Sequence, residues 1–116
     1  MDFQTVLEDM LEWCEARKVT VVTAAGNYPE KRLHQTLPQS LGTPDNGLIT
    51  VGGVEMDGSL FLSTTPAEPG HAGSLSVYAP AKNIKVDNDP VEEVHSGTSQ
   101  ATAIVVSHSM HIWRSG

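Results

Sequence analysis

The chain has 116 residues, enough for one domain with a single core that would bury roughly two-thirds of its unfolded surface. Apolar residues make up 39% and aromatics 5%, the composition of a globular α/β protein built from Val, Ala, Leu and Ile, and no run approaches membrane-spanning length. Seven basic against fourteen acidic residues leave a formal charge of -7, which repels a phosphate backbone and excludes nucleic acid as a partner.

From Phe3 to Arg17 the apolar residues Phe3, Val6, Leu7, Met10, Leu11, Trp13 and Cys14 recur at three- and four-residue steps, which places them on one face of a helix. Asp2 suits the amino-terminal cap, and Arg17 and Lys18 suit the carboxy-terminal end of the helix dipole. Cys14 is the single cysteine; it can form no internal disulfide and reads as a small core residue, leaving the compartment unspecified. Val19 to Ala25 is a nearly continuous β-branched and apolar run, the pattern of a strand buried on both faces in a parallel sheet.

Tyr28 to Gly47, with Pro29, Pro38, Gly42, Pro44 and Asp45-Asn46-Gly47, has no period and reads as a long loop. Leu48 to Val54 reads as a second buried strand, closed by a turn at Asp57-Gly58. Ser59 to Ser74 is polar and rich in Gly and Pro, and Leu75 to Ala79 reads as a third strand ended by Pro80. Ile84 to Val94 reads as an acidic connection carrying Asp87, Asp89, Glu92 and Glu93. Ser99 to Trp113 reads as a helix whose first turns are small, with Ala101, Thr102 and Ala103. No repeat, low-complexity tract or dividing linker is present.

Two places carry chemistry. Ser99 lies at a helix start, where its hydroxyl faces the positive end of the dipole and its own N–H lacks an intrahelical acceptor. Such a serine is a candidate nucleophile with an oxyanion donor beside it; the plain alternative is that Ser96 or Ser99 caps the helix. Asn27 follows a buried strand through Gly26, where a turning backbone can aim an amide into a cleft; the plain alternative there is a Gly-Asn turn that ends the strand.

Taken together, Thr23-Ala24-Ala25-Gly26-Asn27 and, about seventy residues later, Ser96-Gly97-Thr98-Ser99-Gln100-Ala101 resemble the oxyanion and nucleophile segments of subtilisin-like serine proteases. Leu48-Ile49-Thr50-Val51-Gly52-Gly53-Val54 and Val77-Tyr78-Ala79-Pro80 are similar to two further strands of that family, in the same order, over residues 3 to 106. The resemblance implies an incomplete portion of a three-layer α/β fold with a mostly parallel sheet, the nucleophile half of a peptidase domain. It implies Ser99 as nucleophile, Asn27 as oxyanion donor, and Gly97 and Thr98 as the turn that keeps the approach to Ser99 open. It further implies a polypeptide substrate, and an extracellular or vacuolar setting.

The family's catalytic Asp and His precede the Asn, and here only 26 residues do. No Gly-Thr-His-type segment is present, and Met1 opens what would be the middle of the fold, so a longer parent is expected. Without its base a serine is a poor nucleophile, and the chain alone is expected to be inactive. Among the five histidines, His34 and His71 fall in loops, His95 lies four residues before Ser99, and His108 and His111 read as solvated. Residues 87–93 do not follow an EF-hand spacing. Calcium, which many subtilases bind, is not assignable here, and no metal or cofactor is assigned.

Two departures concern the last helix. Ala103 stands where many subtilases have Pro, and from about residue 107 Ser107-His108-Ser109-Met110-His111 would place polar and bulky groups in a buried helix, a tail that reads as non-native. Two further readings stand beside the peptidase fragment: a non-catalytic binding or decoy protein on this scaffold, and a half completed by a separate chain carrying Asp and His. The Val19 to Ala25 strand would be left as an apolar edge, which invites self-association.

Overall fold

The computed structural model describes residues 2–43, 47–88 and 91–115, with 86–88, 91–92 and 110–115 described by backbone alone. Helix α1 spans Phe3–Ala16. Its cap is the expected one: the Asp2 carboxylate accepts from the Thr5 N–H at 2.8 Å, and that bond holds the Asp2 carboxyl below its ordinary range. At the other end Lys18 turns left-handed (φ 57°), and Lys18 and Val19 N–H groups return to the Glu15 and Cys14 carbonyls at 3.1 and 2.8 Å. This closing turn satisfies the last carbonyls of the helix. It also consumes Val19, so the first strand, β1, is shorter than the apolar run and spans Val21–Ala24.

Strand β2 runs Leu48–Val54, as its pattern predicts, and β3 runs Val77–Pro80, two residues later than Leu75. The three form a parallel sheet in the order β1-β2-β3, with Val21 opposite Leu48 and Val51 opposite Val77. All four residues of β1 are half-buried rather than buried on both faces, because β1 lies at the sheet edge and has one strand neighbour. The loop between β1 and β2 carries two short 3-10 turns, Leu33–Gln35 and Gln39–Leu41.

The acidic connection is corrected by the structure. Residues 84–95 form an antiparallel hairpin, β4 Ile84–Asn88 with β5 Val91–His95. Ile84 and Val86 alternate with Lys85 and Asp87, a strand period hidden by the charge around it. Asp89 lies outside the described residues.

Helix α2 spans Thr98–Ser115 and packs across all three parallel strands. Its Ala101 is fully buried, and Ile104 and Val105 pack on the cluster formed by Ala101, Val51, Ala79 and Ala81. The close approach of the chain just beyond β3 depends on glycine in β2: a Cβ on Gly53 would lie 2.6 Å from the Ala81 Cβ. Two expectations of burial fail. On α1 only Leu11 is buried, Cys14 is half-buried, and Phe3, Val6, Met10 and Trp13 are exposed. On α2 Ser107, His108 and Ser109 are exposed rather than buried, so their polar groups meet water at no desolvation cost; His111 side-chain placement lies outside the described residues. Among the described residues no helix is long and apolar enough to cross a membrane.

Candidate active site

Parallel strands place their loops and following helix starts at one end, and ligands bind at the carboxyl ends of such sheets. Here Ala25 extends the pairing of β1, its N–H donating to the Val51 carbonyl at 2.9 Å, and the chain then turns at Gly26 with φ 109°. A Cβ there would lie 2.9 Å from the Thr65 hydroxyl, so the turn needs glycine on two counts. Asn27 leaves this turn at the surface. From the other side, Ala81 extends β3 beyond its end, and its carbonyl accepts from the Gly97 N–H at 2.8 Å, which sets the start of α2 at the same end of the sheet.

Asn27 and Thr98, 71 residues apart, are joined by two hydrogen bonds. The Asn27 Oδ1 accepts from the Thr98 N–H at 2.9 Å and from the Thr98 hydroxyl at 3.1 Å. That hydroxyl in turn accepts from the Gly26 N–H at 3.0 Å. Because a backbone N–H can only donate, Oδ1 is the atom that faces the helix, and the amide orientation is fixed by chemistry. Both lone pairs of Oδ1 are thus engaged, while Nδ2 makes no hydrogen bond with another described residue and keeps two donors. The carboxamide also serves as a cap for the first helical N–H of α2, one of the groups a helix cannot satisfy itself.

Gly97 lies directly beneath that amide. A Cβ at this position would be 3.3 Å from Asn27 Nδ2 and 3.0 Å from Gln100 Oε1, with φ 153°. A side chain would cover the donor. Ser99 follows, exposed on the first turn of α2, and neither its hydroxyl nor its N–H has a partner among the described residues. Thr98 itself is fully buried, and the Thr102 hydroxyl donates back to its carbonyl at 2.7 Å. The arrangement offers an exposed hydroxyl, an unspent backbone N–H at the positive end of a helix and an oriented side-chain amide, the components that stabilise an oxyanion in acyl transfer.

All four sequence-predicted residues, Asn27, Gly97, Thr98 and Ser99, therefore meet at one junction. Sequence reasoning gave Thr98 only a part in the turn; the structure gives it the hydroxyl that locks the amide. It missed Thr65 altogether. That fully buried residue accepts from the Tyr28 N–H at 3.0 Å through its hydroxyl and donates its own N–H to the Gly26 carbonyl at 2.9 Å, bracing Asn27 from both sides. No period or motif in Ser63-Thr64-Thr65-Pro66 signals this. His95 is paired with Glu93, Nε2 to Oε2 2.8 Å, in an exposed setting on β5, and His108 is exposed on α2.

No family model matches the sequence, and no curated protein matches it. Solved structures do. The chain is similar to the prenylagaramide maturation protease PagA, at 26% identity and a TM-score of 0.69 over 90% of this chain and 35% of that one. It is similar to the self-cleaved protease domain of PatA, at 25% identity and a TM-score of 0.63 over 86% and 35%. With the patellamide maturation protease PatG it shares the fold, at 20% identity and a TM-score of 0.71 over 94% and 33%. The chain spans about a third of the length of each. Its small α/β fold, a three-stranded parallel sheet with helices, is that of a portion of a subtilisin-like protease domain.

Proposed function

We propose that this chain is the nucleophile-bearing portion of a subtilisin-like serine endopeptidase domain. The observation that carries the reading is the lock between Asn27 and Thr98, which leaves Asn27 Nδ2 unspent beside the exposed Ser99 at the start of α2. In the proposed reaction the Ser99 hydroxyl attacks a peptide carbonyl, and Asn27 Nδ2 and the Ser99 N–H receive the oxyanion. A His oriented by an Asp, neither of which this sequence supplies, takes the serine proton and returns it to the leaving amine. Gly97 and Thr98 hold the approach and the amide. The reaction so described uses side chains and backbone alone.

The test is labelling by a fluorophosphonate probe, which reacts with activated serines, together with peptide hydrolysis. The purified chain is expected to be inert in both, since loss of the base costs on the order of a millionfold in the subtilisin triad. The protein encoded by the full transcript is expected to be labelled at Ser99 and to lose labelling in Ser99→Ala. Asn27→Ala is expected to cut its turnover about a hundred- to a thousandfold, measured on protein that circular dichroism shows to be folded. Hydrolysis by the chain alone that Ser99→Ala abolishes would overturn the need for a separate base. A full protein whose turnover ignores Ser99→Ala would overturn the assignment.

A second reading, completion by a separate chain that carries the Asp and His, is favoured by the edge position of β1 and the uncovered apolar face of α1. A transcript that begins at Met1, with labelling of Ser99 only on addition of such a chain, would select it.

A further inference from the structure

We propose that His34, Glu68 and His71 bind a divalent transition metal of the zinc class and so clip the loop that follows Asn27 to the loop that carries Thr65. One ligand atom from each of the three side chains lies within 4.8 Å of the others. A tetrahedral ion with bonds near 2.0–2.1 Å needs ligand separations of about 3.4 Å, so closure requires a contraction of about 1.4 Å at most. That is within the swing of a side chain, and His71 is exposed and able to make it.

The two imidazoles already face each other, with ring centroids 4.2 Å apart and planes 20° from parallel. A neutral imidazole keeps one ring nitrogen lone pair free, the form that metals take. His34 Nδ1 is buried and has no hydrogen-bond partner. A buried polar atom left in that state needs an explanation, and ligation through Nδ1 supplies one. Nearly parallel rings aim their lone pairs side by side, so binding turns the exposed His71 ring towards the ion while His34 stays in place.

Glu68 is available. Its ion pair with Arg32 Nε is long, 3.9 Å, with the two side chains 39% and 45% exposed, and such a pair contributes little. The backbone beneath is built in advance. The Leu33 N–H donates to the Pro66 carbonyl at 2.9 Å, the His71 N–H donates to the Glu68 carbonyl at 3.1 Å, and Leu33 is fully buried. A Cβ on Gly73 would lie 3.0 Å from the Leu33 Cβ, so the two loops are in contact at this point. Two imidazoles and one carboxylate suit zinc with a water in the fourth position; calcium, which wants six to eight oxygens, is not matched.

The test is calorimetric titration of zinc into the chelator-treated protein, with cobalt(II) as a visible-absorbance reporter and circular dichroism to establish folding. Binding of one equivalent is expected, with thermal stabilisation that grows with free metal. His71→Ala and Glu68→Gln change side chains at the surface of the cluster and are each expected to weaken binding at least tenfold, while His95→Ala and His108→Ala are expected to leave it unchanged. Absence of zinc binding to the folded protein would overturn the proposal. So would binding that survives His71→Ala and Glu68→Gln, since that places the ion elsewhere.

Discussion

Thr98 makes three hydrogen bonds to two groups, the Gly26 N–H and Asn27 Oδ1, with one hydroxyl and one N–H, and it does so in full burial. Thr98→Val keeps the shape and strands the Gly26 N–H and one lone pair of Asn27. A buried polar group left unmatched costs about 1–3 kcal/mol; with Gly26 half-buried and Asn27 exposed the low end of that range is expected, and the denaturant midpoint should fall with an unchanged slope. Thr98→Ser keeps the hydroxyl and loses one methyl, at about 1 kcal/mol. If Val and Ser prove equally harmful, the hydroxyl bridge is not what holds the junction. Gly97→Ala makes a different point. The new methyl would lie 3.3 Å from Asn27 Nδ2, so in an active parent protein it should depress turnover more than it depresses stability. An equal loss in both would mean that backbone strain alone is being felt.

At the scale of elements, β2 and α1 show opposite limits of reading a sequence. The β2 strand was legible to the residue because nearly all of it is buried, so apolar pattern and structure report the same thing. For α1 the period correctly predicts the helix and its Asp2 cap, but Phe3, Val6, Met10 and Trp13 are exposed. Periodicity reveals that one face is apolar; it does not reveal whether anything covers it. The hairpin β4–β5 was missed for a related reason: each strand finds its partner in the other, and exposed charge masks the alternation. The Asn27 and Ser99 segments were legible as motifs, while the Thr98 and Thr65 bonds that orient them join residues 71 and 37 positions apart, a distance no local pattern spans.

Two tests belong to these elements. Gly53→Ala should destabilise by about 1–3 kcal/mol through overpacking, because its Cβ would meet that of Ala81 at 2.6 Å. Combining it with Ala81→Gly should recover part of the loss, and strictly additive effects would show that the two do not press on each other. Asp2 has its folded pKa lowered, chiefly by the Thr5 N–H, from an ordinary value of 3.8. A depressed carboxyl stabilises above its unfolded pKa and stops doing so as pH falls through the folded one. Helix α1 should therefore lose its cap only at pH below about 4, and Asp2→Asn, which caps without titrating, should flatten that dependence in circular dichroism.

The whole molecule is more open than its length requires. Its radius of gyration is 15.0 Å, against about 13 Å for a compact chain of this size, and its buried cluster is small, built on Val51, Ala79, Ala81 and Ala101. Strand β1 lies at the sheet edge and the stripe from Phe3 to Trp13 faces water. Edges and patches of this kind favour association. Sedimentation should show mass rising with concentration, and Met10→Glu, at a residue 42% exposed, should lower it without lowering stability. A monomer at all concentrations would contradict this.

The bonds from Thr98 to Asn27 close a span of 71 residues, and the second partner sits on the last helix of the described chain. Contacts so far apart in sequence form late, after loop closure has been offset by the packing between them. The Asn27–Thr98 junction is therefore a sign of finished folding. While the chain is still emerging in synthesis, Asn27 has no oriented amide and Ser99 no docked helix, so on the proposed function a nascent or half-folded copy would hold no assembled site.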